Sequence, residues 1–194
     1  MSQNLSSNAP RRRPRSDGQQ NRARLIEAAK LAFAEHGAGA SLEGVARDAK
    51  ISIASLYRHF PTRDNLIEAV YRQETDTLIE AAGRLTKELE PMTALREWLL
   101  LFVEFLDAKQ GMAEVLNTLI GGPDSLYNGT PARLNSSIAM LVERVVEIGD
   151  CQVEIEPLDL LRAIAGVANV KHNRNWKDAA VRMADLLLKG LRTG

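Results

Sequence analysis

SLEGVARDAKISIASLYRHF, residues Ser41 to Phe60, packs two short helices, a tight turn and a polar, basic face into one compact stretch. Ser41 is a good N-cap for a helix running to about Ala49, and Ser52 for a second from Ile53 to His59. Each hydroxyl can accept from an otherwise orphaned backbone amide. Leu42, Val45 and Ala46 fall on one side of the first helix, while Ile51, Leu56 and Phe60 supply apolar contacts around the turn and the second. Ile53, Ala54, Ser55, Tyr57, Arg58 and His59 are left for the exposed face. This is the layout of a helix-turn-helix. Its second helix can lie in a DNA major groove with its leading residues against base edges and its polar residues against phosphate.

The chain has 194 residues and a formal net charge of zero, which taken alone argues against a nucleic-acid binder. The distribution reverses that impression. Residues 1–63 hold 11 Lys or Arg against 5 Asp or Glu, a net +6, and the rest of the chain carries the opposite, a net −6. Such asymmetry suits a chain whose one end meets a polyanion and whose other end meets a partner subunit or a small molecule. Cys151 is the only cysteine, so no intrachain disulfide can form and a reducing cytoplasm is the expected home. The longest strongly apolar stretch, Trp98 to Val103, is broken by Glu104 and falls short of the ~20 residues of a membrane span. No membrane partner is expected. Residues Met1 to Pro10 lack an apolar signal-peptide core and have the polar composition of a disordered tail.

Working outward, the basic cluster Arg11, Arg12, Arg13 and Arg15 is interrupted by Pro14, and prolines at 10 and 14 disfavour helix there. A first helix is expected from Gln19 to His36, with Ile26, Ala29, Ala32 and Phe33 on one face and Gly37 as its stop. Beyond the motif, Pro61 and Thr62 lead into a long helix from about Arg63 to Leu89, with Leu66, Ile67, Val70, Leu78 and Ile79 on its buried side. Pro91 is expected to end it and Thr93 to cap another helix reaching about Lys109. A shorter helix is expected from Met112 to Ile120, then a loop to about Thr130 and helices from Pro131 to Ile148, Pro157 to Val170 and Trp176 to Leu191. Residues 152–156 alternate in polarity but are short and isolated, and read as a connector. The expectation is an all-α chain of about nine helices, divided into a disordered basic arm (1–17), a helix-turn-helix head (18–63) and a larger helical domain (64–194).

The opening helix ARLIEAAKLAFAEHG, the capped SLEGVARDA, and ISIASLYRHF followed by PTRDNLIEAV together resemble the DNA-binding domain of the TetR family of bacterial transcriptional regulators. One departure is Lys50, where most members carry glycine in the turn. A non-glycine residue at positive φ costs up to about 1 kcal/mol. The C-terminal two thirds resembles only the family's general pattern of a helical ligand-sensing and dimerising domain. The resemblance implies a homodimeric repressor that leaves a pseudo-palindromic operator when a small-molecule effector binds. The rival is a constitutive DNA-binding dimer with no effector.

Within that frame the resemblance places Tyr57, His59 and Arg63 at positions where family members commonly touch the phosphate backbone. All three are hydrogen-bond donors. Tyr57 and His59 can alternatively pack and cap the helix, and Ser41 serves either as a phosphate donor or as a cap alone. Ser52, Ile53, Ala54 and Ser55 sit at the leading end of the recognition helix, where Ile53 and Ala54 can meet a thymine methyl and Ser55 can donate or accept. Arg58 is assigned to phosphate in preference to guanine. The arginine arm either enters a narrow minor groove or remains a solvated tail.

In the second half, Trp98, Leu101, Phe102, Phe105, Met112, Leu116, Asn117, Leu126 and Tyr127 are candidates for an effector cavity, although an ordinary core uses the same residue types. Leu160, Leu161, Ile164 and Ala168, with Met183 and Leu187 on the last helix, are candidates for a four-helix dimer interface. Packing within one subunit is the alternative. The three histidines lie far apart in sequence and Cys151 is alone, so no metal-ligand spacing emerges. No Gly-rich phosphate loop, GxSxG elbow or paired-carboxylate pattern is present to suggest a cofactor or a catalytic role.

Overall fold

Apolar residues recur every three or four positions along most of the chain, and in the computed structural model every regular element among the described residues (15–120, 122, 124–149, 156–170 and 175–191) is helical. Ten α-helices follow in order: α1 (Arg15–His36), α2 (Leu42–Asp48), α3 (Ile53–His59), α4 (Arg63–Glu88), α5 (Pro91–Gly111), α6 (Ala113–Leu116), α7 (Asp124–Tyr127), α8 (Thr130–Glu147), α9 (Pro157–Asn169) and α10 (Trp176–Leu191). The helix without a counterpart in the sequence reading is α7, a single turn inside the expected loop.

Several boundaries differ from expectation for identifiable reasons. Helix α1 begins at Arg15, so residues 15–17 belong to it rather than to a disordered arm. A proline just ahead of a helix is compatible with its first turn, because its missing amide would be unpaired there anyway. The same physics makes Pro91 the first residue of α5 rather than the end of α4, with Thr93 inside the helix instead of capping it. Helix α1 stops where Gly37 takes φ +52, a conformation that glycine adopts without penalty. Arg11, Arg12 and Arg13, the 152–155 part of the expected connector, Cys151 and His172 lie outside the described residues.

Helix α4 is the spine. Its 26 residues span about 39 Å at 1.5 Å each, and its buried face runs from Leu66 and Ile67 through Val70 and Leu78 to Leu85. It starts in a capping box: Thr62 Oγ1 accepts from the Asn65 amide at 3.1 Å, and Asn65 Oδ1 accepts from the Thr62 amide at 3.3 Å. The head packs on its N-terminal half through α1, an attachment reinforced by the Lys30–Glu74 ion pair at 2.9 Å. Helices α5 and α8 also pack against α4. Fully buried Trp98 joins α5 to α4, its Nε1 donating to the Leu78 carbonyl at 2.9 Å while its ring stacks on Phe102.

Helices α9 and α10 lie against each other and against α5. Arg96 holds Asp185 at 2.7 Å, and Lys177 holds Glu104 at 2.7 Å and Asp107 at 3.0 Å. The inward faces of the pair are filled by Leu160, Leu161, Ile164 and Ala168 of α9 and by Ala180, Ala184 and Leu188 of α10. This corrects the dimer-interface expectation. Leu160, Leu161, Ile164 and Ala168 are core of their own subunit, and of the six named residues only Met183 and Leu187 keep part of their surface open. The apolar side chains facing outward include Leu186, 62% exposed, and Val170, 73% exposed, with half-exposed Val167 between the core and the surface.

Candidate nucleic-acid interface and pocket

The motif folds as its caps dictate. Ser41 Oγ accepts from the Gly44 amide at 3.0 Å and Ser52 Oγ from the Ser55 amide at 3.3 Å, each removing one orphan donor from a helix start. The turn between α2 and α3 is a Schellman motif, with the Ile51 amide donating to Ala46 O at 2.9 Å and the Lys50 amide to Arg47 O at 3.0 Å. Lys50 occupies the left-handed position at φ 55, the only described non-glycine residue with positive φ. Arg24 of α1 donates to the Ala49 carbonyl and so braces the turn from behind. Lys50→Gly is therefore expected to raise unfolding stability by about 1 kcal/mol. Chemical denaturation reads this directly; an unchanged or lowered midpoint would show that the lysine carries no conformational penalty.

On the outward side of α3, Ser52, Ala54, Tyr57 and Arg58 are exposed, with Tyr57 at 45%. Neither the Tyr57 hydroxyl nor the Arg58 guanidinium takes a hydrogen bond or ion pair within the described residues. Ser55 and His59 are half-buried, and the His59 ring lies tilted beside Phe60. Ile53, expected on the open face, is half-buried and packs against the core, which leaves Ala54 as the more accessible apolar group.

Arg63 is placed differently from a free phosphate donor. Its guanidinium donates to the carbonyls of Ala40 and, at 3.0 Å, Ala38, and it lies 5.3 Å over the Phe33 ring. Arg22 lies 5.2 Å over the Phe60 ring. These two arginines tie the helix connections of the head together, and Arg63 has both of its terminal nitrogens engaged before any DNA arrives. Helix periodicity carries no information about such long-range cation–carbonyl contacts.

In the larger domain, Tyr71 of α4, Phe102, Phe105, Leu106 and Lys109 of α5, and Leu134 of α8 surround a cavity of about 320 Å³. Tyr127, Thr130 and Pro131 close one side, and Leu158, Leu161, Arg162 and Ala165 of α9 close another. Three of the nine expected pocket residues are among its walls: Phe102, Phe105 and Tyr127. Trp98, Met112, Leu116 and Leu126 are buried core, Leu101 points outward at 37% exposure, and exposed Asn117 lines a separate cavity of about 270 Å³.

The sequence reading overlooked Tyr71 and Lys109. Lys109 continues the stripe of Phe102, Phe105 and Leu106 at the spacing of one helical turn, which was the available signal. Leu161, expected at a dimer interface, lines the pocket wall. The Tyr71 ring packs tilted against both Phe105 and Tyr127, and Lys109 Nζ lies 4.4 Å from the Tyr127 ring centroid. Burial raises the Tyr71 phenol pKa, an effect partly offset by hydrogen bonding with Thr130 and Thr75. Burial alone pulls the Lys109 ammonium below its ordinary range. Among the described residues no cluster of His, Cys, Asp or Glu could hold a metal ion, and no helix is long and apolar enough to cross a membrane.

Residues 25–70 match the model of bacterial regulatory proteins of the tetR family, and residues 90–193 match that of the SbtR-like transcriptional regulator C-terminal domain. The chain belongs to the TetR family. Helices α2 and α3 lie within the first of these matches. A TetR transcriptional regulator of Streptomyces coelicolor, SCO0520, is 36% identical over 88% of this chain and 98% of its own, with a TM-score of 0.80. A TetR regulatory protein of Mycobacterium vanbaalenii, 23% identical over 92% of this chain and 99% of its own, shares the fold at a TM-score of 0.74. The probable HTH-type transcriptional regulator ArpR of Pseudomonas putida is 34% identical over 92 residues, which is 46% of this chain and 44% of that relative. TtgR from the same species matches over an equal span. The chain thus aligns with less than half the length of these two HTH-type regulators, whereas SCO0520 is matched almost end to end.

Proposed function

We propose that this TetR regulator is a cytoplasmic, homodimeric repressor that binds a pseudo-palindromic operator and releases it when a small molecule fills the α4–α5–α8–α9 cavity. The observation carrying this reading is that one helix serves both ends. Helix α4 holds the head through Arg63 and Glu74 and supplies Tyr71 to the cavity. A second link runs from the Ile120 amide, in the segment before α7, to Asp64 Oδ2 at 3.1 Å. A ligand that fits the cavity better with α4 rotated would change the separation of two recognition helices away from the ~34 Å of one DNA turn. Only the difference in its affinity for the two arrangements produces release.

On the DNA side, Tyr57 and Arg58 are proposed to hold phosphate, with Ser52, Ala54 and Ser55 facing base edges and Ile53 and His59 supporting them. The arginines at 11, 12, 13 and 15 are proposed to reach the neighbouring minor groove. The dimer contact is proposed to run through the outward faces of α9 and α10, with Val167, Val170, Met183, Leu186 and Leu187 against the same residues of a second copy. Sedimentation of the full chain should show a dimer, and the Met183→Glu/Leu186→Glu double variant, which buries four carboxylates in that contact, should sediment as a folded monomer. A variant that remains dimeric would move the interface elsewhere.

A further inference from the structure

The cavity wall is apolar and aromatic over most of its surface, yet its ionic groups are all of one sign. Among the described residues Lys109 and Arg162 are the charged groups lining it, and no carboxylate does. Arg162 is exposed and already engaged by Asp159 at 2.8 Å. Lys109 is half-buried, with no carboxylate within ion-pair distance among the described residues, and its one close partner is the Tyr127 ring at 4.4 Å. A partly desolvated ammonium held only by a ring face is an incomplete arrangement, because burying a cation costs free energy that an anion would offset. Tyr71, Tyr127 and Thr130 line the same cavity and are its neutral polar side chains. Lys109, Leu106, Tyr127 and Ala165 also line the adjoining cavity that contains Asn117, so Lys109 stands where the two spaces meet.

We infer that this cavity takes an organic monoanion, a carboxylate on an aromatic or aliphatic body, with its oxygens on Lys109 and its body against Tyr71, Phe102, Phe105 and Leu161. A polyanion such as a nucleotide is a poor fit, since one uncommitted cation and an apolar wall would leave most of its charge unpaired. An organic cation would meet Lys109 with like charge. A neutral apolar body would fill the space but leave the ammonium as desolvated as before. The inference rests on the proposal that this cavity is the effector site, and it names the class of effector.

The test uses the full-length protein and three carboxylates, naphthalene-2-carboxylate, 4-phenylbenzoate and decanoate, each paired with the primary alcohol of the same skeleton. Calorimetry should show at least one carboxylate binding about tenfold to a hundredfold more tightly than its alcohol, the range expected for one charge-assisted hydrogen bond in a partly dry site. Lys109→Met should erase that preference while leaving the alcohol's affinity within a few-fold. The variant's melting temperature should equal or exceed that of the parent, and Lys109→Gln provides a second neutral replacement if Met alters the packing. Alcohols that match every carboxylate, a preference that survives both substitutions, or no binding by any carboxylate would each overturn the assignment. Carboxylate binding that depends on Lys109 but leaves operator occupancy unchanged would instead refute effector release and keep the anion site.

Discussion

Arg58→Ala is expected to weaken operator binding by about tenfold to a hundredfold and to reduce the slope of log affinity against log salt by about two, one for each copy in a dimer. Arg58 is exposed on α3 and spends none of its donors inside the described protein. Its phosphate contact would therefore replace only water and counterions. The loss should be uniform across operator variants if Arg58 holds phosphate. A loss confined to one base pair, with specificity relaxed there, would reassign it to guanine. Wild-type affinity and slope in the variant would remove Arg58 from the interface. Arg63 is the instructive contrast. Its guanidinium already bonds the Ala38 and Ala40 carbonyls, so its removal should be felt first as a loosened head, visible in thermal unfolding without DNA.

Trp98→Ala is expected to cost about 3–5 kcal/mol of unfolding stability, the range for removing a large aromatic from a closed core. The side chain is fully buried, its indole N–H is satisfied by Leu78 O, and its ring lies nearly parallel to Phe102 at 6.1 Å. The cavity left behind would sit between α4 and α5, the two helices that also bound the ligand space through Tyr71, Phe102 and Phe105. Effector affinity should fall with stability for that reason. Denaturant titration reads the first effect, and a loss below about 1 kcal/mol would mean that the α4–α5 contact relaxes around the gap and is not the rigid spine described above.

The head was legible in the sequence because its signals are local. Ser41, Ser52 and Thr62 cap within three residues of themselves, Gly37 stops α1, and the apolar positions follow one helical period. The strain at Lys50 was readable only through the family resemblance, because most members carry glycine at that position of the turn. The pocket and the interface were not legible to the same degree. Leu161 and Ile164 have the apolar spacing of an interface helix, and only the packing of α9 and α10 against α5 and α8 decides that they face inward. Leu101 has the composition of a pocket wall and the orientation of a surface residue. Lys109 was readable as a cation on an apolar stripe, but its significance comes from Tyr127, which sits on another helix and approaches only in the folded chain. Arg63 was assigned to DNA from its place in the family pattern, and two alanine carbonyls more than twenty residues away in sequence claim it.

The central claim is that α3, presented twice by a dimer, reads an operator. Selection from a library of random duplexes with the full-length protein tests it most directly. The expected result is an enriched inverted repeat with half-sites one helical turn apart or a multiple of it, lost when Tyr57→Phe and Arg58→Ala are combined. Enrichment of no sequence, of a single asymmetric half-site, or of the same repeat by that double variant would contradict it.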